Sequence, residues 1–342
     1  MISSNEKKDC SDNVSLLDKR YYWWKPVVSA FSDVNLKGLK FVCPKCKEIG
    51  FVTTRWVKGP VLKPMYILHV IRGKVKRVCG LDEEQSNQIR GKVSILESDI
   101  RLLLESRKPF ILFSGGKDSL ATLIHLKEIA KKAGRRLTAV YVDTTAGLPE
   151  NTQYVEKVCK YMKVKLEIVK PKEDYFSLVK KWGIPSFQYR WCCRELKIKP
   201  IEEFFKTIKK PKVVFDGIRA VESNVRKQYI PIWYHPSFKC LSVSPIFYWS
   251  DEKVKTLINS NGLPKTLLNS GSSTECWCGA YKTQTDFKKL YQLDRKMFRK
   301  LVKVEDENKN RYTFLYKDGK KIPLRKLEKQ ILKEGSIQKL QQ

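Results

Sequence analysis

A glycine-rich turn that carries a lysine is the first feature of this 342-residue chain that could do chemistry. Residues 114–119 read Ser-Gly-Gly-Lys-Asp-Ser. Two glycines let an anion approach the backbone closely, because they have no Cβ. Lys117 adds a positive charge, and the first N–H groups of a following helix lack partners within the helix. The turn therefore has the composition of a phosphate-binding cradle.

Ten cysteines are the second source of chemistry, and their spacing is more informative than their number. Cys10 and Cys159 stand alone, and we interpret both as ordinary structural cysteines. The other eight form pairs or lie near a pair: Cys43, Cys46, Cys79, Cys192, Cys193, Cys240, Cys276 and Cys278. Clustered cysteines in a chain with no export signal indicate metal or redox chemistry rather than a disulfide framework.

The first pair has the spacing of a zinc knuckle. Cys43 and Cys46 enclose Pro-Lys in a segment of short strands and glycine turns, residues 41–80. Two thiolates on one tight turn hold one tetrahedral ion, and His69 or Cys79 would complete the site from the following hairpin. A β segment with so small a core needs such a staple. We therefore predict zinc at Cys43, Cys46, His69 and Cys79.

The later cysteines form two pairs that are far apart in sequence. Cys192 and Cys193 begin a predicted helix, whose dipole favours the thiolate form for metal ligation or nucleophilic attack. Cys276 and Cys278 flank a tryptophan in a loop rich in glycine and serine. Two pairs on loops at one edge of a sheet can converge on an iron–sulfur cluster, while zinc remains an alternative.

Alternating strand and helix patterns surround these groups. Strands are predicted at 109–113, 137–143, 165–170, 212–217 and 241–247, and helices at 118–133, 149–162, 173–182, 194–208, 251–260 and 284–303. Such alternation predicts an α/β fold with a doubly wound parallel sheet, whose ligands bind at the carboxyl ends of the strands. A short hairpin with Asp318-Gly319 at its turn follows the last helix.

Five segments are expected along the chain. They are an N-terminal arm at 1–36, a zinc-ribbon-like segment at 37–81, a connecting helix at 82–107, the α/β domain at 108–305, and a C-terminal hairpin and helix at 306–342. The arm contains the aromatic run Tyr21–Trp24, which either stacks on bases or packs on the main domain.

Charge indicates the kind of partner. The chain has 68 Lys and Arg against 36 Asp and Glu, a formal net charge of +32. So large an excess without matching acids favours a polyanion, most simply tRNA or another RNA, over a merely solvated surface. A membrane partner is not expected, because no apolar run approaches the roughly 20 residues that span a bilayer. The polar start does not resemble a signal peptide, so we expect a cytoplasmic protein.

The glycine-rich turn is not a Walker loop, because G-x-x-x-x-G-K-[ST] is absent. It resembles the PP-loop of the ATP pyrophosphatases, which form AMP and pyrophosphate. Further segments resemble the phosphoadenosine phosphosulfate (PAPS) reductase branch: Asp143-Thr144, "RWCCRELKIKP" at 190–200, "GIRAVESNVRK" at 217–227 and "SPIFYWSDEKV" at 244–254. The resemblance covers about residues 109 to 300 and implies an adenine nucleotide alpha-hydrolase-like fold.

The resemblance also implies roles for residues. Ser114, Gly115, Gly116, Lys117, Asp118 and Ser119 would hold the phosphates of ATP or PAPS with Mg²⁺. Asp143 would lie near the adenosine or its metal, and Arg219 and Glu222 would line the nucleotide pocket, although a structural ion pair is the alternative. Relatives carry iron–sulfur clusters on matching cysteines, which implies a 4Fe–4S cluster on Cys192, Cys276 and Cys278.

The fourth cluster ligand is open between Cys193 and Cys240, or one iron is left to bind sulfide. The family's usual spacing is C-x-x-C, whereas this chain has C-x-C at residues 276–278, which keeps zinc as an alternative there.

Three functions remain open from the sequence. The leading hypothesis is ATP-dependent adenylation of a nucleic-acid base followed by sulfur transfer, with Lys117, Asp118, Cys192 and Cys193 as catalytic residues and an unidentified sulfur donor. The alternative is reduction of PAPS or adenylyl sulfate to sulfite. Such reductases commonly have a modified loop and a C-terminal E-C-G-[LI]-H nucleophile, whereas no cysteine follows Cys278 here. The third is a non-catalytic nucleic-acid-binding protein.

Overall fold

A computed structural model of the protein describes residues 36–54, 64–71, 74–263, 275–308, 313–317 and 320–340. All but the last residue of the predicted N-terminal arm, including its aromatic run, therefore lies outside the described residues, as does the predicted turn Asp318-Gly319. Within these ranges no helix combines the length and the apolar character that crossing a bilayer requires.

A small antiparallel sheet forms the N-terminal part. Its strands, in the order of the sheet, are β1 (Lys40–Val42), β2 (Ile49–Thr54), β3 (Met65–Ile71) and β4 (Lys74–Gly80). Val52 and Ile67 are fully buried and face each other in the register of β2 and β3. A Cβ on Gly50 would lie 2.4 Å from Ile67 Cγ2, so glycine is needed for these strands to pack.

The main sheet has six strands. They are β5 (Lys108–Leu112), β6 (Thr138–Val142), β7 (Lys165–Val169), β8 (Lys212–Phe215), β9 (Ile232–His235) and β10 (Cys240–Val243), in the order β7-β6-β5-β8-β10-β9. β8 pairs in parallel with both β5 and β10. Its Val213, Val214 and Phe215 are fully buried, as is usual for a strand covered on both faces. The predicted α/β fold is confirmed; β9, which the sequence analysis missed, adds an antiparallel edge.

Helices follow most strands. They are α1 (Glu83–Arg90), α2 (Glu97–Ser106), α3 (Lys117–Lys132), α4 (Pro149–Tyr161), α5 (Tyr175–Trp182), α6 (Trp191–Cys193), α7 (Lys199–Lys206), α8 (Asn224–Lys227), α9 (Asp251–Asn259), α10 (Gln284–Leu293), α11 (Arg295–Glu307) and α12 (Leu324–Leu340). The short strands β11 (Leu315–Lys317) and β12 (Lys320–Ile322) pair antiparallel on either side of the predicted hairpin turn.

The chain divides into two compact units. The first contains the described residues of Met1–Phe113, Lys117–Ala139 and Ile208–Gly262, and the second those of Ser114–Gly116, Val140–Thr207 and Leu263–Gln342. The N-terminal sheet belongs to the first unit, and Cys192, Cys193, Cys276 and Cys278 belong to the second. The division into five segments stays a prediction.

The connecting helix predicted at 82–107 is wrong as a single helix, because α1 and α2 are separated by residues 91–96. Asp99 causes the interruption: its carboxylate accepts the backbone N–H of Leu96 at 3.3 Å, and those of Lys37 at 2.9 Å and Gly38 at 3.2 Å. These bonds satisfy the start of α2 and tie it to the chain before β1. A helical pattern alone does not reveal this competition.

Two other helix predictions need correction. The helix predicted at 284–303 is in fact two helices, α10 and α11, with a break at Asp294. The backbone of Asp294 is extended, and its carboxylate accepts the N–H of Met297 at 2.9 Å, which caps α11. The helix predicted at 194–208 begins earlier, at Trp191, and contains a π-helical turn at Arg194–Ile198. Pro200 follows that turn and has no N–H to donate, which explains the wider turn before it.

Candidate functional site

The glycine-rich turn links β5 to α3, and its backbone is held from one side by α4. Asn151 Nδ2 donates to Ser114 O at 3.1 Å and to the hydroxyl of Tyr141 at 3.0 Å. Gly115 has φ +82°, and a Cβ there would lie 3.1 Å from both Asn151 Oδ1 and Val155 Cγ2. Glycine is therefore required by conformation and by space, and the turn is preorganised.

A network of charges surrounds the start of α3. Lys117 Nζ lies 3.0 Å from Asp118 Oδ1 and 2.8 Å from Asp251 Oδ1. Arg219, which is 1% exposed, places Nη2 2.7 Å from the same Asp251 oxygen and Nη1 3.0 Å from Trp249 O. Its Nε lies 2.7 Å from Asp118 Oδ1 as an ion pair without hydrogen-bond alignment. The two cations are thus fixed next to the turn.

Asp251 was not predicted from the sequence, although it belongs to a quoted segment. Hydrogen bonds from Lys117 and Arg219 lower its pKa to about 2, so it is ionised at neutral pH. Because the carboxylates of Asp118 and Asp251 balance Lys117 and Arg219, an incoming phosphate can exchange with them as the partner of Lys117. An acidic residue at the first position of a helix, after the Ser250 cap, is the signal that could have identified it.

The chain after β8 lies directly against α3. A Cβ on Gly217 would be 2.7 Å from Ser119 N and 2.8 Å from Asp118 C. The preceding Asp216 accepts hydrogen bonds from Ser242 Oγ at 2.9 Å and Ser244 Oγ at 2.6 Å, and burial raises its pKa. This anchor fixes the path of the segment that carries Arg219.

Glu222 has a local role in this structure. Its carboxylate accepts the backbone N–H of Arg219 at 2.9 Å and pairs with Arg226. These contacts are those of a structural ion pair, the alternative that the sequence left open. A role for Glu222 in binding a nucleotide stays a prediction.

At the carboxyl end of β6, the side chain of Asp143 is engaged at both oxygens. Oδ1 accepts Thr145 N at 3.0 Å and Oδ2 lies 3.0 Å from Lys170 Nζ. Thr145 has φ +58°, an unusual value for a β-branched residue. Asp143 thereby fixes a sharp turn, and its carboxylate stays partly exposed at the edge of the sheet. From the sequence we predict a nucleotide or a metal ion near this carboxylate.

The same turn holds the loop of the late cysteines. Thr144 Oγ1 donates to Glu275 O at 3.0 Å, and Trp277 N donates to Ala146 O at 2.6 Å. Tyr175, fully buried, donates its N–H to Thr145 Oγ1 at 2.7 Å and its hydroxyl to Cys278 O at 3.1 Å. The predicted nucleotide turn and the predicted cluster loop are therefore one connected structure within the second unit.

Four late cysteines converge from two segments. Cys192 Sγ lies 3.4 Å from Cys278 Sγ, and the thiols of Cys192 and Cys193, and of Cys276 and Cys278, also share hydrogen bonds. Bonds with Cys193 and Cys278 raise the pKa of Cys192, whereas the bond with Cys192 lowers the pKa of Cys193 to about 7. Four thiols brought together from two segments are, by their chemistry, a donor set that suits an iron–sulfur cluster.

A half-buried ion pair accompanies these thiols. Lys197 Nζ lies 2.7 Å from Glu275 Oε1. Burial alone would lower the pKa of Lys197, but the charges of Glu275 and Cys276 outweigh burial and raise it. A permanent positive charge beside the thiols favours their anionic form. Cys240, considered as a fourth ligand, is buried on β10 in the first unit, and burial raises its pKa to about 12.

The predicted zinc residues come together in the N-terminal sheet. The donor atoms of Cys43, Cys46, His69 and Cys79 all lie within 4.8 Å of one another. His69 Nδ1 lies 3.2 Å from Ile49 O, which leaves Nε2 directed at Cys46 Sγ, 3.3 Å away. Three thiols and an imidazole whose other nitrogen meets a carbonyl fit a structural zinc ion.

A cavity of about 550 Å³ opens beside Asp143 in the second unit. Its lining residues come from the 143–153 segment, α5 and α11: Asp143, Thr145, Gly147, Leu148, Pro149, Thr152, Gln153, Phe176, Asp294, Lys296, Met297 and Lys300. The sequence did not predict that α11 lines this cavity, because its residues lie about 150 positions from Asp143 and show no motif.

Residues 108–274 match the family model of the phosphoadenosine phosphosulfate reductase domain. An uncharacterized protein of Methanocaldococcus jannaschii is 35% identical over 147 residues, which are 42% of this chain and 30% of that protein. The adenosine 5'-phosphosulfate reductase of Staphylococcus epidermidis is 24% identical over 168 residues, 48% of this chain and 66% of the reductase. The chain thus spans less than two thirds of these relatives.

Two solved structures show a partial likeness. The PAPS reductase of Candida auris, a phosphate complex, aligns with 58% of this chain and 96% of its own, at 21% identity and a TM-score of 0.43. The U34-tRNA thiolase of Methanococcus maripaludis, solved with its 4Fe–4S cluster, aligns with 68% of this chain and 83% of its own, at 14% identity and a TM-score of 0.41. Neither likeness bears on which reaction this chain catalyses.

Proposed function

We propose that this chain, whose residues 108–274 match the phosphoadenosine phosphosulfate reductase domain, activates a base of an RNA with ATP and replaces an oxygen of that base by sulfur. The observation that carries the proposal is the turn at residues 143–146, whose hydrogen bonds hold the loop of Cys276 and Cys278. A nucleotide bound at the carboxyl end of β6 would therefore meet the thiol group in the same unit.

In the first step, a carbonyl oxygen of the base attacks the α-phosphorus of ATP and pyrophosphate leaves. The backbone of residues 114–119 and Lys117 bind the phosphates, and Lys117 stabilises the negative charge that develops on pyrophosphate. Arg219, which Asp251 holds by an ion pair, adds a second positive charge near Lys117. Mg²⁺, held by phosphate oxygens and Asp143, would neutralise charge on the nucleotide.

In the second step, a sulfur nucleophile at the oxidation level of sulfide attacks the activated carbon and AMP leaves. Adenylation makes this possible because AMP is a much better leaving group than oxide. Cys192, Cys276 and Cys278 would hold a 4Fe–4S cluster and leave one iron without a cysteine ligand, which would supply a binding place for sulfide; Cys193 would then stay free of the cluster. Lys197 supports the negative charge of the thiolates. Zinc on Cys43, Cys46, His69 and Cys79 would stabilise the N-terminal sheet.

The second candidate is reduction of adenylyl sulfate or PAPS to sulfite. The Staphylococcus epidermidis relative, named an adenosine 5'-phosphosulfate reductase, and a rice relative, named a probable 5'-adenylylsulfate reductase and 27% identical over 209 residues, favour it. The same turn would then bind the nucleotide part of the substrate, and the reaction would consume two electrons from a thiol reductant.

Release of AMP and pyrophosphate from ATP tests the proposal. Protein purified without oxygen is incubated with ATP, Mg²⁺ and sulfide, with and without bulk tRNA, and thiolated nucleosides are measured after digestion. We expect release that RNA stimulates and that Lys117→Ala reduces by about 10²-fold or more, as for loss of one transition-state charge contact. Lys131→Ala, an exposed lysine at the other end of α3, is the matched control.

Sulfite formation tests the second candidate with the same preparation. If adenylyl sulfate and dithiothreitol yield sulfite while ATP yields no AMP with any RNA, the sulfur-transfer proposal is wrong and the reductase is supported. Absence of both reactions in cluster-loaded protein would leave a nucleic-acid-binding role.

A further inference from the structure

Two cations of the cavity beside Asp143 have no ion-pair partner among the described residues. Lys296 and Lys300 are exposed and lie one turn apart on α11, so both side chains face the same way. No carboxylate of the described residues lies within 4.0 Å of either one, whereas Arg299 lies 3.5 Å from Glu328 and Lys303 lies 3.9 Å from Glu307. Asp143 and Asp294 also line the cavity, so its charge is mixed, and the two lysines are the groups in it that can bind an anion.

Apolar side chains, one of them aromatic, also line the cavity, beside several polar groups. Leu148 and Met297 are buried, and Phe176 at the start of α5 is half-buried. Lys300 Nζ lies 5.9 Å from the centre of the Phe176 ring. Proteins commonly bind single-stranded nucleic acid by stacking a base on an aromatic side chain while nearby cations contact the phosphates. The volume is within the about 300–1,000 Å³ that small-ligand sites occupy.

The cavity uses a different face of α4 from the glycine-rich turn. Asn151 and Val155 contact the turn at Ser114 and Gly115. Pro149, Thr152 and Gln153 line the cavity. With 3.6 residues per turn, the two sets as wholes point in directions more than roughly 90° apart, although Thr152 and Val155, three positions apart, adjoin each other. The cavity is therefore not the cradle that we assign to the phosphates of ATP.

A short chain of contacts leads from the cavity to the cysteines. Thr145, in the cavity wall, accepts the backbone N–H of Tyr175, and the Tyr175 hydroxyl donates to Cys278 O. Phe176, next in sequence, lines the cavity. A ligand that displaces Phe176 or Thr145 therefore acts directly on the residue that holds the cysteine loop.

We propose that this cavity binds one nucleotide unit of the acceptor RNA, with its base against Phe176 and its phosphate on Lys296 and Lys300. This inference rests on the proposed function, because the acceptor is an RNA only if that function holds. It assigns the recognition of the acceptor to α5 and α11 of the second unit. Asp143, which lines the cavity, is also the residue that would hold Mg²⁺ with ATP, so the two proposed sites adjoin at this side chain.

The test compares a double variant with a matched control. Lys296→Gln/Lys300→Gln removes two charges from the cavity, and Lys326→Gln/Lys329→Gln removes two exposed charges from α12. Binding of fluorescein-labelled bulk tRNA is measured by anisotropy without ATP at several salt concentrations. For the cavity variant we expect affinity at least tenfold weaker than that of the control, and a log–log salt slope shallower by about 0.7, for one single-stranded phosphate that the two lysines neutralise together.

Kinetics provide the second measurement. With the cavity variant, the KM for tRNA in AMP release should rise about tenfold while the KM for ATP stays unchanged. Phe176→Leu should weaken tRNA binding, and Phe176→Tyr should restore it, because stacking needs a ring. Equal tRNA affinity in cavity and control variants would overturn the inference, and so would a raised KM for ATP, which would make the cavity part of the ATP site.

The two proposals fail in different ways. If tRNA binding depends on Lys296 and Lys300 but tRNA neither stimulates AMP release nor becomes thiolated, the sulfur-transfer function is wrong and the nucleotide site stands. If tRNA is thiolated normally by the cavity variant, the site is wrong and the function stands.

Discussion

Individual glycines of this protein are required by space, and Gly217 is the sharpest case. Its missing Cβ allows the segment after β8 to lie against the backbone of Asp118 and Ser119. Since those neighbours are backbone atoms at the start of α3, they cannot move aside as a side chain could. The same contact places Arg219, two residues later, next to Asp118.

We expect Gly217→Ala to lower the free energy of unfolding by about 1–3 kcal/mol, because the added methyl forces a backbone shift. It should also weaken nucleotide binding, since the shift moves Arg219. Urea unfolding and ATP titration check both effects. Gly91→Ala is the control: Gly91 has φ −68° and no atom within 4 Å of the added Cβ, so its stability should be unchanged or slightly higher. Equal stability of the two variants would contradict the steric argument.

A second prediction at this scale concerns pH. Hydrogen bonds from Lys117 and Arg219 lower the pKa of Asp251 from 3.8 to about 2 in the folded protein. The ionised group therefore stabilises the fold above about pH 4, and that contribution is lost as the pH falls toward 2. We expect Asp251→Asn to lose less stability than the wild-type protein over this interval, measured by urea unfolding. Parallel pH profiles of the two proteins would show that the ion pair does not contribute.

At the scale of elements, the N-terminal sheet depends on a few side chains. Its four metal-donor side chains come from the turn between β1 and β2, from β3 and from β4. Lys47, with φ +62°, and the bond from Lys47 N to Cys43 O at 2.9 Å shape the turn that brings Cys46 back toward Cys43. The turn is thus built for two ligands of one ion.

We expect about one zinc ion per chain, and its loss in Cys79→Ser, with cleavage of the N-terminal sheet by trypsin as the folded state is lost. Zinc content by mass spectrometry and the masses of the tryptic fragments check this. Cys159→Ala is the control, because Cys159 is buried alone in α4, where burial raises its pKa to about 12. Zinc retained at wild-type level in Cys79→Ser would remove Cys79 from the ligand set.

The whole molecule carries a charge that no single site explains. A net charge of +32 attracts polyanions of any sequence. If the proposed site holds, this charge would provide affinity for RNA and the cavity beside Asp143 would provide position. These two contributions separate experimentally, because the first depends on salt and the second on particular side chains.

We expect tRNA binding to weaken steeply with salt, with a log–log slope of about −4 or steeper if six or more phosphates are contacted. Fluorescence anisotropy between about 50 and 200 mM KCl measures the slope. ATP binding, which involves one small anion, should depend much less on salt in the same buffers. A slope for tRNA as shallow as that for ATP would argue against a nucleic-acid partner.

Local sequence was sufficient for the elements and for groups that are contiguous or tightly spaced. The glycine-rich turn, the five predicted strands and the longer helices from β5 to α9, and the grouping of Cys43, Cys46, His69 and Cys79 could be predicted, because turn chemistry and apolar periodicity act over a few residues. The breaks at residues 91–96 and at Asp294 were missed, because a capping carboxylate competes with a helical pattern that continues through it.

The sequence by itself determined the fold class, the chemistry of the donor groups and the excess of positive charge, since composition and short-range spacing contain all three. Only the tertiary structure decided that Asp251 holds Lys117 and Arg219, that Thr144 and Tyr175 hold the cysteine loop, and that Lys296 and Lys300 face Asp143's cavity. These partners lie roughly 30 to 150 residues apart. Their contacts come from the packing of whole elements, which no local pattern records.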